Sequence, residues 1–206
     1  MIKPKDPKMF QRRALKGHKK SIICLDSQTD FNQNVLASGS EDCTSRIWDV
    51  RESRAVKCFH SCFDGNAIDS VSFNPTNEHC VFIGSGSNVF QFDLRKDGIL
   101  DKVPEMIMLT KQLDEGEEND GEEDDDCINW ISVHPEGHQL AAASDDGNVY
   151  IMDTSTGEIA QTLSKGHTSI VSCTAYRPGV SGELSSVGFD CKACVWDVSS
   201  VRAYVD

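Results

Sequence analysis

No run of about eighteen apolar residues, the length a membrane-spanning helix needs, occurs in the 206-residue chain. No apolar stretch follows the basic residues of the opening MIKPKDPKMFQRR, so a secretory signal is not expected either. These absences lead to the expectation of a cytosolic or nuclear protein. A disulfide framework is also missing. The nine cysteines are odd in number and irregularly spaced, and in a reducing compartment such residues behave as small buried hydrophobes.

Other absences bear on chemistry. The GSGS run at residues 84–87 lacks the lysine and helix of a phosphate-binding loop and reads as a turn. There is no strand-turn-helix nucleophile motif, so an enzyme is not expected. Cys191 and Cys194 have CxxC spacing with no second pair at zinc-site distance. Cys58, His60 and Cys62 would share one face of an extended strand but lack a fourth ligand, and strand packing accounts for them better. No metal and no cofactor are expected.

The first twenty residues hold eight Lys or Arg against the single acid Asp6, with Phe10 alone of Phe, Tyr and Trp among them. Residues 1–14 are therefore expected to form a solvated basic arm, and nucleic acid is not an expected partner. Negative charge is concentrated elsewhere. Ten carboxylates lie within residues 114–126, and without them the net charge of −13 would be −3. Mutual repulsion should keep this tract extended and disordered.

Against these absences stands a repeat. RIWD ends at Asp49, FQFD at Asp93, YIMD at Asp153 and CVWD at Asp197, with intervals of 44, 60 and 44 residues. The long middle interval exceeds the others by about the length of the acidic tract, which reads as a loop insertion. Each unit alternates short apolar runs with turns: SIICLD from Ser21, VLASGS from Val35, SRIWDV from Ser45 and AVKCF from Ala55 make four strands. In the second unit the last strand is expected at MIMLT, from Met106. No segment reads as a long helix.

Gly17-His18 and Gly166-His167 precede Trp48-Asp49 and Trp196-Asp197 by about thirty residues, and with the 44-residue period this resembles the WD-repeat family. The resemblance covers residues 15–198 and implies an all-β WD40 β-propeller of about four four-stranded blades, an incomplete ring of the kind that seven blades complete. The domain is expected over residues 15–206, and membranes are not expected partners. The strings INWISV, ASDDGNVYIMD and SCTAYRP are similar to the N-terminal part of one family member in particular.

The family's buried hydrogen-bond chain implies that His18, Asp42, Ser38 or Ser40, and Trp48 act together in the first repeat, and His167, Asp190, Ser186 and Trp196 in the fourth. The third keeps only Asp146, with Met152 in place of Trp; the second has Phe92 for Trp and Gly86 for the turn Asp. Those two blades should be held less firmly by polar contacts. Ser, His and Asp together imitate a hydrolytic triad, but that chemistry needs an exposed nucleophile beside an oxyanion hole.

Residues 36–51 resemble the box of WD-repeat substrate receptors of cullin-4 RING ubiquitin ligases, in which an Arg two positions beyond the WD helps bind the adaptor, damage-specific DNA-binding protein 1. Trp48, Asp49 and Arg51 match it; Asp93 and Arg95 repeat the pattern. The bland reading is a solvated Arg paired with a nearby Asp. The expected function is thus a protein-binding scaffold, with a ligase substrate receptor as the sharper form. A histone- or chromatin-binding scaffold, or a truncated product with little independent function, is the alternative. Four repeats short of a ring would leave blade edges open to self-association.

Overall fold

A computed structural model describes residues 14–28, 31–96, 126–180 and 182–199. The basic arm up to residue 13, the acidic tract up to residue 125 and the strand expected at Met106 lie outside the described residues.

The described residues contain strands and no helix. The first sheet is β1 (Ile22–Ser27), β2 (Val35–Ser40), β3 (Ser45–Asp49) and β4 (Ala55–Phe59), in sequence order. The second is β5 (Ser70–Phe73), β6 (Cys80–Ser85) and β7 (Asn88–Asp93). The third is β8 (Ile128–Val133), β9 (Gln139–Ser144), β10 (Val149–Asp153) and β11 (Ile159–Leu163). The fourth is β12 (Val171–Tyr176), β13 (Glu183–Gly188) and β14 (Ala193–Asp197).

Every pairing is antiparallel and between sequence neighbours, so each sheet is a meander made by tight turns. The turns between second and third strands each need a left-handed residue, and Cys43 (φ 60), Gly86 (φ 55), Gly147 (φ 84) and Cys191 (φ 63) supply it. Equivalent bulges at Ile22/Cys24, Ile128/Trp130 and Val171/Cys173 interrupt the first strand of three sheets, and a bulge increases local twist.

The first strands of successive sheets touch in order, β1 to β5, β5 to β8 and β8 to β12, which arranges the sheets as blades around a common inner edge. The cores lie between blades. Ala37 and Ile47 of the first meet Val81, Ile83, Phe90 and Phe92 of the second. The opposite face of the second, Cys80, Phe82 and Val89, meets Ile131, Leu140 and Ala142 of the third. Ala141, Val149 and Ile151 then meet Val171 and Leu184 of the fourth. β6 and β9 are consequently buried on both faces, which is why CVFIGS and QLAAAS read as continuous apolar or small-residue runs. Trp130 of β8 packs against the third cluster.

The two outer faces of the array differ from these joints. Ile22, Leu25 and Val56 are exposed on the first blade, and Val187, Phe189 and Val195 on the fourth.

Candidate functional site

The meander puts the loop entering each blade and the turn after its second strand on one face of the array. The turns that follow the first and third strands lie on the opposite face.

On the first face, His18 Nε2 lies 2.8 Å from Ser38 Oγ, and His18 Nδ1 lies 3.1 Å from Asp42. Trp48 Nε1 donates to Ser38 Oγ at 2.8 Å. A carboxylate only accepts, so Nδ1 carries the imidazole proton and the Ser38 hydroxyl donates to Nε2. Asp42 also accepts the Lys19 amide at 2.7 Å and the Thr44 hydroxyl at 2.7 Å. Ser38, rather than Ser40, carries the chain; the Ser40 hydroxyl accepts the Asp42 amide at 3.1 Å.

The fourth blade repeats the arrangement. His167 lies 2.9 Å from Asp190 and 2.8 Å from Ser186, and Trp196 Nε1 donates to Ser186 at 2.8 Å. Both serines are buried, and their protons go to histidine, so neither hydroxyl is presented to solvent as a nucleophile. The glycine before each histidine follows from packing: a Cβ on Gly166 would overlap the Trp196 ring, and one on Gly17 would stand 3.0 Å from Trp48.

Burial alone would raise the Asp42 carboxyl, but hydrogen bonds from Thr44, the Lys19 amide and His18 hold it well below the usual carboxylate range. The His167 hydrogen bond does the same for Asp190.

The middle blades depart for identifiable reasons. Register places Ile83 and Ala142 where Ser38 and Ser186 stand, so no hydroxyl exists to link a ring N–H to a histidine. In the second blade, Phe92 stacks on Phe59 at 4.4 Å, and Phe63 meets Phe90 edge-on at 5.2 Å. Asp146 of the third accepts the Asn148 amide at 2.9 Å and the Tyr150 hydroxyl.

On the opposite face, each third strand ends in an aspartate that accepts the amide two residues on: Arg51 at 2.9 Å, Arg95 at 2.8 Å, Ser155 at 2.7 Å and Ser199 at 3.0 Å. In the first two blades the side chain joins in. Arg51 Nε and Nη2 donate to Asp49 at 2.9 and 2.5 Å, and Arg95 Nε and Nη2 to Asp93 at 3.1 and 2.7 Å. The Arg51 guanidinium pulls the Asp49 carboxyl down to about 2. Thus each Arg pairs with the aspartate of its own motif and still stands 65% exposed.

Among possible ligands, Cys58, His60 and Cys62 do not share a strand face, because β4 ends at Phe59 and Ser61 is left-handed at φ 68. Cys191 and Cys194 turn toward different carbonyls, of Phe189 and Gly166. All nine cysteines are free thiols, and burial pushes Cys24 up to about 12 and Cys80 to about 11. The sequence reading missed His134, Glu136 and His138, whose ligand atoms lie within 4.8 Å of one another; HPEGH was the available signal. Yet His134 Nδ1 accepts the Glu136 amide at 3.1 Å, which puts the ring proton on Nε2 and makes that atom a donor rather than a ligand.

Comparison with known proteins adds to this geometry. A family model described as "WD domain, G-beta repeat" matches residues 10–49, and one described as "Anaphase-promoting complex subunit 4 WD40 domain" matches residues 85–178. A "WD repeat-containing protein 53 homolog" of Dictyostelium discoideum is 29% identical over 181 residues, 88% of this chain and 45% of that protein. WD repeat-containing protein 53 is also the member that INWISV and SCTAYRP resemble. A "Guanine nucleotide-binding protein subunit beta" of Zea mays is 28% identical over 202 residues, 94% of this chain and 48% of its own length. A "Histone acetyltransferase type B subunit 2" of Candida albicans is 39% identical over 69 residues, 33% of this chain. The chain spans about half the length of the relatives that match along it.

Proposed function

Because the chain is built of WD40 repeats, we propose that it is a protein-interaction scaffold and, more sharply, the blade surface of a cullin-4 RING ligase substrate receptor. The observation that carries the sharper reading is the pair of arginines, Arg51 and Arg95, on equivalent turns of adjacent blades. Each is exposed and held in one orientation by the aspartate closing its third strand. A planar, pre-oriented guanidinium on a rigid turn suits recognition of a protein surface.

The test is capture by purified damage-specific DNA-binding protein 1 of the native chain and of an Arg51→Ala, Arg95→Ala double variant. The receptor reading expects the native chain to be retained and the variant to be lost. Equal retention of both, or of neither, overturns it.

A second reading, a histone- or chromatin-binding scaffold without the ligase, draws on the likeness to the Candida albicans protein over 69 residues. Binding of histone-tail peptides by a chain that ignores the adaptor would favour it. Self-association is a further proposal, supported by the apolar side chains Leu25, Val187 and Val195 on the outer blade faces. Sedimentation velocity with Val195→Lys tests it: a concentration-dependent oligomer that the variant abolishes is expected, and a monomer at all concentrations contradicts it.

A further inference from the structure

A guanidinium has five N–H donors. In Arg51, Nε and Nη2 face Asp49, at 2.9 and 2.5 Å. In Arg95 the same atoms face Asp93, at 3.1 and 2.7 Å. Each arginine therefore turns its side edge inward and presents the outer edge, formed by Nη1 and the second Nη2 hydrogen, to solvent. That outer edge is a two-pronged donor. The aspartate behind it offsets its positive charge, with Glu52 adding to this beside Arg51 and Lys96 acting against it beside Asp93.

The aspartate fixes more than the head group. Asp49 Oδ1 accepts the Arg51 amide at 2.9 Å and Asp93 Oδ1 the Arg95 amide at 2.8 Å, so one carboxylate holds both backbone and side chain of each turn. In the third and fourth blades the same carboxylate takes a serine, Ser155 Oγ or Ser199 Oγ, each at 2.5 Å. The turn is common to all four blades, and the outward fork belongs to the first two. Lys57 of β4 donates to the Lys96 carbonyl at 3.0 Å, joining the outer strand of the first blade to the turn that bears Arg95. Both forks lie on that joined surface.

We infer that Arg51 and Arg95 recognise main-chain carbonyl oxygens of the partner, such as those left unpaired in the last turn of a helix, with Asp49 and Asp93 as their positioning residues. A partner carboxylate would put a second negative charge on a guanidinium that already faces its own aspartate, whereas a carbonyl takes the directed N–H bonds without that surplus. The inference rests on the adaptor reading above and names what the adaptor must offer.

Two double variants separate geometry from charge. Asp49→Asn with Asp93→Asn is isosteric and unmasks positive charge; Arg51→Lys with Arg95→Lys keeps charge and removes the fork. Affinity for damage-specific DNA-binding protein 1 is measured at low and at high salt, with circular dichroism and melting temperature as controls for folding. Both variants should bind about tenfold or more weakly than the native chain, and native binding should change less than about threefold with salt. Tighter binding by the Asn variant, native-like binding by the Lys variant, or a steep salt dependence of native binding would show that charge is being read and overturn the inference alone. If the Asn variant fails to fold, the Lys variant and the salt dependence still decide. No binding by the native chain overturns the adaptor reading and this inference with it.

Discussion

Phe59, the last residue of the first blade's outer strand, stacks on Phe92 of the second blade with ring centroids 4.4 Å apart. Phe92 occupies the position that tryptophan holds in the first and fourth blades. One joint between blades is thus closed by aromatic packing, whereas Trp48 and Trp196 bind serine hydroxyls. Several measurable consequences separate these two ways of holding a blade.

His18→Ala removes the middle of a buried chain and leaves Ser38 and Asp42 each short of a partner. The loss should be about 1–3 kcal/mol, and His167→Ala should cost a similar amount. Urea denaturation checks both; a midpoint unchanged in each variant contradicts the role given to the histidines.

Acid should weaken the fold through the same residues. Asp42 and Asp190 have carboxyls held below their unfolded value, so their stabilisation is fully present above about pH 4 and is lost as pH falls through the folded value. Burial and the nearby Asp145 raise Asp69, which works in the opposite direction. Denaturation midpoints measured from pH 6 down to pH 3 should fall mainly below pH 4, and Asp42→Asn should flatten the decline. A decline centred near pH 6 would point to histidine instead.

Gly166→Ala should destabilise by about 1–3 kcal/mol through overpacking, since the added methyl would overlap the Trp196 ring. Gly65→Ala also adds a methyl, but it meets no atom within 4 Å and carries only the strain of its φ of +83. Melting temperatures of the pair report on steric fit: a Gly166→Ala variant as stable as the native chain would contradict the packing.

Much of this architecture was legible because its signals are local. Four WD-like strings in one register mark the ends of third strands, and strand alternation needs only neighbouring residues to be seen. The Gly-His and Trp-Asp pairs pointed to hydrogen bonds between residues 24 apart in the case of His18 and Asp42. The substitutes in the middle blades were less visible. Phe59 and Phe63 lie outside the repeat's recognised positions, and nothing in their spacing says that they pack on the next blade. The pairing of Arg51 with Asp49 was open as the bland alternative, but its side-on geometry depends on the aspartate capping the turn, which is a three-dimensional fact. The choice of Ser38 over Ser40 was not visible in the spacing, since the two lie two residues apart on β2, share a face and are both buried.

Each blade closes its neighbour's core. A double-mutant cycle on Phe59→Leu and Phe92→Leu, followed by urea denaturation, tests it most directly, because the residues belong to different blades and touch only if the blades share a core. A coupling energy of about 0.5–1.5 kcal/mol is expected for stacked rings. Additivity within about 0.3 kcal/mol would place the two rings apart and contradict the arrangement.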